Sequence, residues 1–272
     1  MFSLVLYELK SRWIAILAWS AGLIFFGATY ISLYPEVESQ LSELADLSVY
    51  QAMGFDMATF EGFIGSTAVL FTPVLLGIYV IISSTRTLAG EEEDGTLELV
   101  LATPLPRWQI LTAKALAIAL STLATLLIVG AGDGLLLRSL GSTMDVGVTP
   151  GQLSVAVVNA WPLMMAVTMI GLFLAAYLPS QRSAAMGVTV VFVASYFGEN
   201  LTGMVNSLAP IKPYSLFSYF DSSVTVFQEG VKLGDVAVLI GIAAVFFGLA
   251  LLAFQRRNVT VGAWPWQRPA VE

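Results

Sequence analysis

Four consecutive acids, Glu91, Glu92, Glu93 and Asp94, open the only dense charge cluster of a very apolar chain, GEEEDGTLELVLATPLPRWQILTAK between Gly90 and Lys114. The cluster separates two segments long enough to cross a bilayer. A short loop that keeps four acids and an amphipathic turn there points to a soluble partner docking on it. Other chemistry is restricted by what the chain lacks. With no cysteine and no histidine, thiolate chemistry, HExxH zinc sites and Ser-His-Asp triads are excluded. No GxxxxGK[ST] loop is present, so the chain does not bind ATP in the usual way. Asp133 and Glu199, the latter beside Asn200, are isolated acids in apolar runs and form no paired-carboxylate couple.

The elements that position these residues follow from composition. The 272 residues are 57% hydrophobic and 11% charged, with a mean hydropathy of +0.82. An ordinary soluble domain carries about 25% charged residues, so this is an integral membrane protein. A net charge of −7 offers no basic face for nucleic acid. Roughly 20 apolar residues in a helix cross the hydrocarbon core, and six segments meet that test: about 13–33, 62–85, 109–136, 153–178, 185–206 and 235–254. The expected fold is an all-α polytopic membrane protein. One six-helix domain occupies 1–258, with a cytoplasmic tail at 259–272. The first apolar run follows Lys10 and Arg12 and has no convincing cleavage site, so it is expected to stay as an anchor.

Basic residues set the orientation. With both termini in the cytoplasm, the inner side holds nine bases, Lys10, Arg12, Arg86, Arg107, Lys114, Arg182, Arg256, Arg257 and Arg268, against Arg138, Lys212 and Lys232 outside. Residues 34–61 carry six acids and no base, in keeping with translocation.

Three segments do not span. In residues 1–12, Leu4, Val5 and Leu9 fall near one helical face and Glu8, Lys10 and Arg12 largely elsewhere. That pattern fits an interfacial helix and fits a frayed terminus equally well. Residues 207–234 are aromatic-rich and broken by prolines. They read as short helices dipping into the outer leaflet or as an outer loop with an aromatic belt. In the tail, Trp264 and Trp266 beside Arg256 and Arg257 form an interfacial anchor pattern.

Within the loop, the acids precede a helix-compatible run from Thr96 to Ala102, where they would offset the positive end of the helix dipole. Leu97, Val100 and Leu101 fall at i, i+3 and i+4, an apolar stripe that needs either headgroups or a protein groove. Pro104 and Pro106 end the run, and Arg107 and Trp108 anchor it. Ionisable groups inside the bilayer need a reason. Asp133 reads as a group reaching the outer headgroups to pair with Arg138, or as part of a translocation path. Glu199, beside Asn200, reads as lining that path or the dimer seam, or else as a group that a kinked helix feeding a re-entrant segment places at a wet outer vestibule. Gly22, Gly27, Gly65, Gly77 and Gly171 are expected at close helix contacts, and Pro73 and Pro162 at bends.

The run from Glu92 to Lys114 resembles the signature of membrane subunits of type-2 ABC exporters. In that family an acidic-Gly-Thr-Leu-Glu stretch is followed by Pro and Arg, then by a Lys opening the third span. Those positions are Glu92, Glu93, Gly95, Thr96, Leu97, Glu98, Pro104, Arg107 and Lys114. Glu8-Leu9-Lys10 with Arg12 resembles the family's opening. The resemblance covers most of the chain in layout and about 25 residues (90–114) in specific motif. It implies that 90–103 is a cytoplasmic coupling helix between spans 2 and 3, docking into a separate ABC ATP-binding subunit, two copies per transporter. ATP and magnesium would sit on that subunit and no cofactor on this chain. It further implies pairing with a second permease copy, as homodimer or heterodimer, in a prokaryotic plasma membrane, with short outer helices between spans 5 and 6. The alternative is an ion-gradient-driven secondary transporter or channel, which would need paired intramembrane charges in two halves.

Overall fold

The computed structural model describes residues 1–45, 59–97, 103–140 and 146–256. Among these, the chain is almost entirely helical and contains no strand. Six helices are long and apolar enough to cross a membrane: span 1 (Trp13–Glu38), span 2 (Phe60–Glu93), span 3 (Arg107–Leu140), span 4 (Pro150–Tyr177), span 5 (Gln181–Thr202) and span 6 (Leu233–Arg256). The six expected segments are all present: spans 2, 3 and 6 extend beyond the expected range at both ends, span 1 only at its end, and spans 4 and 5 begin earlier and end sooner. Before span 1 lies a separate helix, α1 (Phe2–Ser11), so the first residues are not frayed.

Local sequence sets the helix starts. Thr149 caps span 4 through a reciprocal pair with Gln152, with Pro150 at the first turn, where a missing N–H costs nothing. Ser180 caps span 5 by accepting from the Ser183 amide, and Thr59 caps span 2 by accepting from Gly62. Span 4 is broken rather than continuous. Its helix stops at Val158, turns through Asn159 and Ala160, and restarts at Trp161 with Pro162 in its first turn. Span 2 contains two π-helical turns, Gly65–Val69 and Arg86–Gly90, one at either end of its central helix Leu70–Thr85.

Spans 2, 3 and 4 form the centre and spans 1, 5 and 6 the rim: in the most apolar 18-residue stretch of each, 67% of span 4 is buried inside the chain and only 17% of span 6. Two apolar cores result. The larger joins spans 1 to 4 with Leu216, Phe217, Phe220 and Phe227 from the segment between spans 5 and 6. The smaller lies at the α1 end and gathers Leu88, Leu97, Leu111, Ala115, Ala184 and Phe254. Glycines tighten the contacts. Gly77 lies under the Phe192 ring, Gly171 against Ser84, Gly27 against Asp133 and Gly65 against the Ser222 carbonyl, whereas Gly22 has no neighbour within 4 Å and serves no close contact.

The segment after span 5 folds back into the bundle. Two 3-10 helices, Asn206–Tyr214 and Leu216–Tyr219, lead to a short helix at Val224–Gln228. Ser195 of span 5 is hydrogen-bonded to Ser215, and its hydroxyl accepts from the Leu216 and Phe217 amides. Gln152 donates to the Phe227 carbonyl and Asn159 to the Asp221 carbonyl. Asn159 lies nine residues into span 4, roughly 13 Å along a helix from its start, so the segment enters the bundle and is not an ordinary surface loop. Asp221 anchors it. Burial works against the charge of this carboxyl, but hydrogen bonds from Ser223, Thr225 and Lys232 outweigh burial and hold it below the usual range. The stability it contributes is therefore complete above about pH 4 and lost as pH falls through the lowered folded value. Asp221→Asn should cost about 1 kcal/mol at pH 7, since Lys232 is half exposed and such pairs are screened. Thermal unfolding in detergent between pH 7 and pH 3 checks this: the difference between the two proteins should shrink only at the acid end.

Candidate functional site

The charged residues of the loop and of the N-terminus meet at one buried junction. Lys114, on the first turns of span 3, is fully buried. Its ammonium donates to Glu8 Oε1 at 2.7 Å and to Glu91 Oε1 at 2.6 Å. Arg12 lies 3.5 Å from the other Glu8 oxygen and donates to Thr87 Oγ1 at 2.9 Å. Two carboxylates face two cations, and the cluster is formally neutral. It ties α1 to the end of span 2 and the start of span 3, the two helices from which the loop departs.

Past the turn at Asp94 and Gly95 the backbone is helical again at Thr96 and Leu97, so the acids precede a helical segment, and the first three also have a place of their own. Glu91, Glu92 and Glu93 do not start a separate helix; they end the long helix of span 2, where negative charge is disfavoured. Cationic and amide donors offset that. Glu91 meets Lys114, and Glu93 accepts the Gln181 amide at 2.7 Å, at the start of span 5. Glu92 is buried. Asp94 is exposed and is followed by the turn at Gly95, whose φ of +70° is the left-handed conformation suited to glycine. Thr96 is exposed and donates to the Glu91 carbonyl.

Leu97 also departs from expectation. It is 1% exposed and packed in the smaller core with Leu88, Leu111 and Phe254, so it secures the loop to the bundle and offers nothing to a partner. Glu98, Val100 and Leu101 lie outside the described residues. On the far side, Pro104 is exposed. Arg107 donates to the Phe254 carbonyl at 3.1 Å and lies over the Phe254 ring, joining span 3 to the end of span 6. The loop thus has both ends fastened to several helices.

In α1, Val5 and Glu8 face inward, while Phe2, Leu6, Tyr7 and Lys10 are exposed. Glu8 therefore belongs to the buried side, contrary to the sequence pattern. The signal that could have found it is the i, i+4 pair Glu8–Arg12 together with an isolated Lys114 in an apolar run.

The intramembrane acids are placed apart. Asp133 is 3% exposed, between spans 1 and 3, and a Cβ on Gly27 would lie 2.5 Å from its Oδ2. Its Oδ1 has no hydrogen-bond partner. It does not pair with Arg138: five residues place the two side chains about 140° apart around the helix, and Arg138 points outward. Glu199 forms an ion pair with Lys212 at 3.2 Å, across the fold-back after span 5. Asn200 donates to the Tyr196 carbonyl. Among the described residues, no group of three or more potential metal ligands occurs.

Compared with models of protein families, the chain matches the one described as ABC-2 family transporter protein across residues 7–259. That interval holds all six spans and every member of the buried junction. No curated protein matches the chain.

Proposed function

Because this chain belongs to the ABC-2 family of transporter proteins, and is thus a multi-pass membrane permease of an ABC transporter, we propose that it is the permease half of an ATP-driven exporter, energised by a separate ATP-binding subunit that docks on residues 90–103. The observation that carries this reading is the junction of Lys114 with Glu8 and Glu91. A loop pushed by a partner transmits force only if its base cannot yield, and this base is locked to three helices through a buried ion cluster. In this reading the α1 face is cytoplasmic, in line with nine bases against three. ATP and magnesium reside on two copies of the partner. A second permease copy completes the path in the plasma membrane; Glu199 and Asn200, both partly exposed, are polar groups available to line it, whereas Asp133 is enclosed between spans 1 and 3.

The outward contact falls on the exposed part of the loop, Asp94 and Thr96, and on Leu101 of the apolar stripe. Asp94→Lys and Leu101→Asp are each expected to reduce recovery of the ATP-binding subunit with the tagged chain by tenfold or more, with insertion and yield unchanged. Quantitative recovery and ATPase measurement in detergent check it. Undiminished recovery in both variants would remove the docking assignment.

A further inference from the structure

Where span 4 breaks at Asn159–Ala160, the helices leave a cavity of about 410 Å³, within the roughly 300–1,000 Å³ range of small-molecule sites. Its wall comes from Leu127 of span 3, Val155, Val158 and Pro162 of span 4, Val231 of the fold-back segment and Val236 of span 6. The polar residues of the lining direct their donors elsewhere. Ser154 donates to the Gly130 and Pro150 carbonyls, Asn159 to Asp221, and Trp161 to the Ala119 carbonyl. An occupant therefore meets carbon. Leu127 is 52% and Val155 47% exposed, so the cavity opens sideways onto the apolar outer surface of the bundle. In a membrane that surface faces lipid.

The rim is polar and has a definite charge pattern. Lys232 follows Val231 directly, is 50% exposed, and is paired with Asp221. That bond and the Asp221 charge raise its affinity for the proton, with smaller contributions from Asp235 and Glu229. One cation thus stands among three carboxylates at the headgroup end of an apolar slot. A phosphate would be drawn to Lys232, and an ammonium a few ångströms away to Glu229 or Asp235. A purely anionic headgroup would meet a net negative rim.

From this we propose that the cavity is a binding site for one zwitterionic phospholipid of the surrounding bilayer, with an acyl chain between spans 3, 4 and 6 and its headgroup at Lys232. The site does not depend on the ATP-driven reading. Its occupant would brace the span 4 break and the fold-back segment together, since Val158 and Val231 share the wall.

The test uses the purified chain in vesicles containing a trace of phosphatidylethanolamine with a diazirine in its acyl chain, followed by mass-spectrometric mapping of the adducts. Adducts should concentrate in residues 154–162 and 231–236. Unlabelled phosphatidylethanolamine should compete at least fivefold better than phosphatidylglycerol. Val158→Trp, which fills the slot with apolar volume, should cut labelling there at least fivefold, while Val245→Trp on the exposed face of span 6 should leave it unchanged. Thermal unfolding confirms that both variants are folded, and Val158→Leu, a smaller filler, replaces the Trp variant should that one unfold. Adducts spread evenly around the belt, or equal labelling in the filled variant, would overturn the site; preference for phosphatidylglycerol would overturn the headgroup assignment.

Discussion

Lys114→Met is expected to lower stability by about 3–5 kcal/mol, the usual cost of removing one member of a buried ion cluster. The lysine is fully buried and touches two carboxylates. Methionine supplies similar length but no charge, leaving Glu8 and Glu91 to face each other with only Arg12 nearby. Desolvation of an uncompensated carboxylate, more than the lost attraction, is the source of the effect. The double variant Glu91→Gln, Lys114→Met removes one charge of each sign, leaves the Glu8–Arg12 pair in place and should recover most of the loss, because replacing a buried ion pair with neutral groups of like volume is often tolerated. Unfolding midpoints in a detergent titration of both variants decide it. A single Lys114→Met as stable as the parent would mean that the ion cluster carries no stability.

Gly65→Val carries the second large effect. A Cβ at Gly65 would collide with the main-chain carbonyl oxygen of Ser222. A side chain can turn away from such a clash; a backbone held on both sides cannot. Ser222 is so held, since Asn159 grips the carbonyl of Asp221 before it and Ser223 binds the Asp221 carboxylate after it. Overpacking in a tight interior costs about 1–3 kcal/mol, and here it should be expressed as undocking of the whole fold-back segment. The chain has no cysteine, so a single Phe227→Cys, buried in the parent, reports undocking by its rate of maleimide labelling. Labelling is expected to rise tenfold or more with Gly65→Val and to stay slow with Gly22→Ala, where no neighbour is present. Equal rates in the two would show that the contact yields.

Spans were readable because bilayer length and apolar run are properties of contiguous residues, and all six appear. Pairings were not. Glu8 and Lys114 are 106 positions apart, and nothing local tells Glu8 to face inward while Leu6 faces out. Leu97 misled for a related reason. Its i, i+3, i+4 neighbours gave a stripe with no indication of which side the bundle would take, and Leu88, Leu111 and Phe254 took its first position. Asp133 and Arg138 are close in sequence, which suggests a pair, but helix rotation separates what the sequence puts nearby. The bend expected at Pro162 did emerge, as a break just before it, because proline's local effect needs no distant partner.

One backbone feature governs more than its size suggests. A π turn closes its hydrogen bonds one residue later than an α turn, so it winds an extra residue into the helix; one residue is about 100° of helical rotation. Such a turn occupies Arg86–Gly90, immediately before Glu91. With that residue taken out, span 2 would keep its length and hydropathy almost unchanged, yet Glu91 would point a quarter-turn or more away from Lys114 and Glu93 away from Gln181. The aim of the acids is thus a matter of angular phase in the main chain, and along this stretch the number of residues constrains the protein as strictly as their identity.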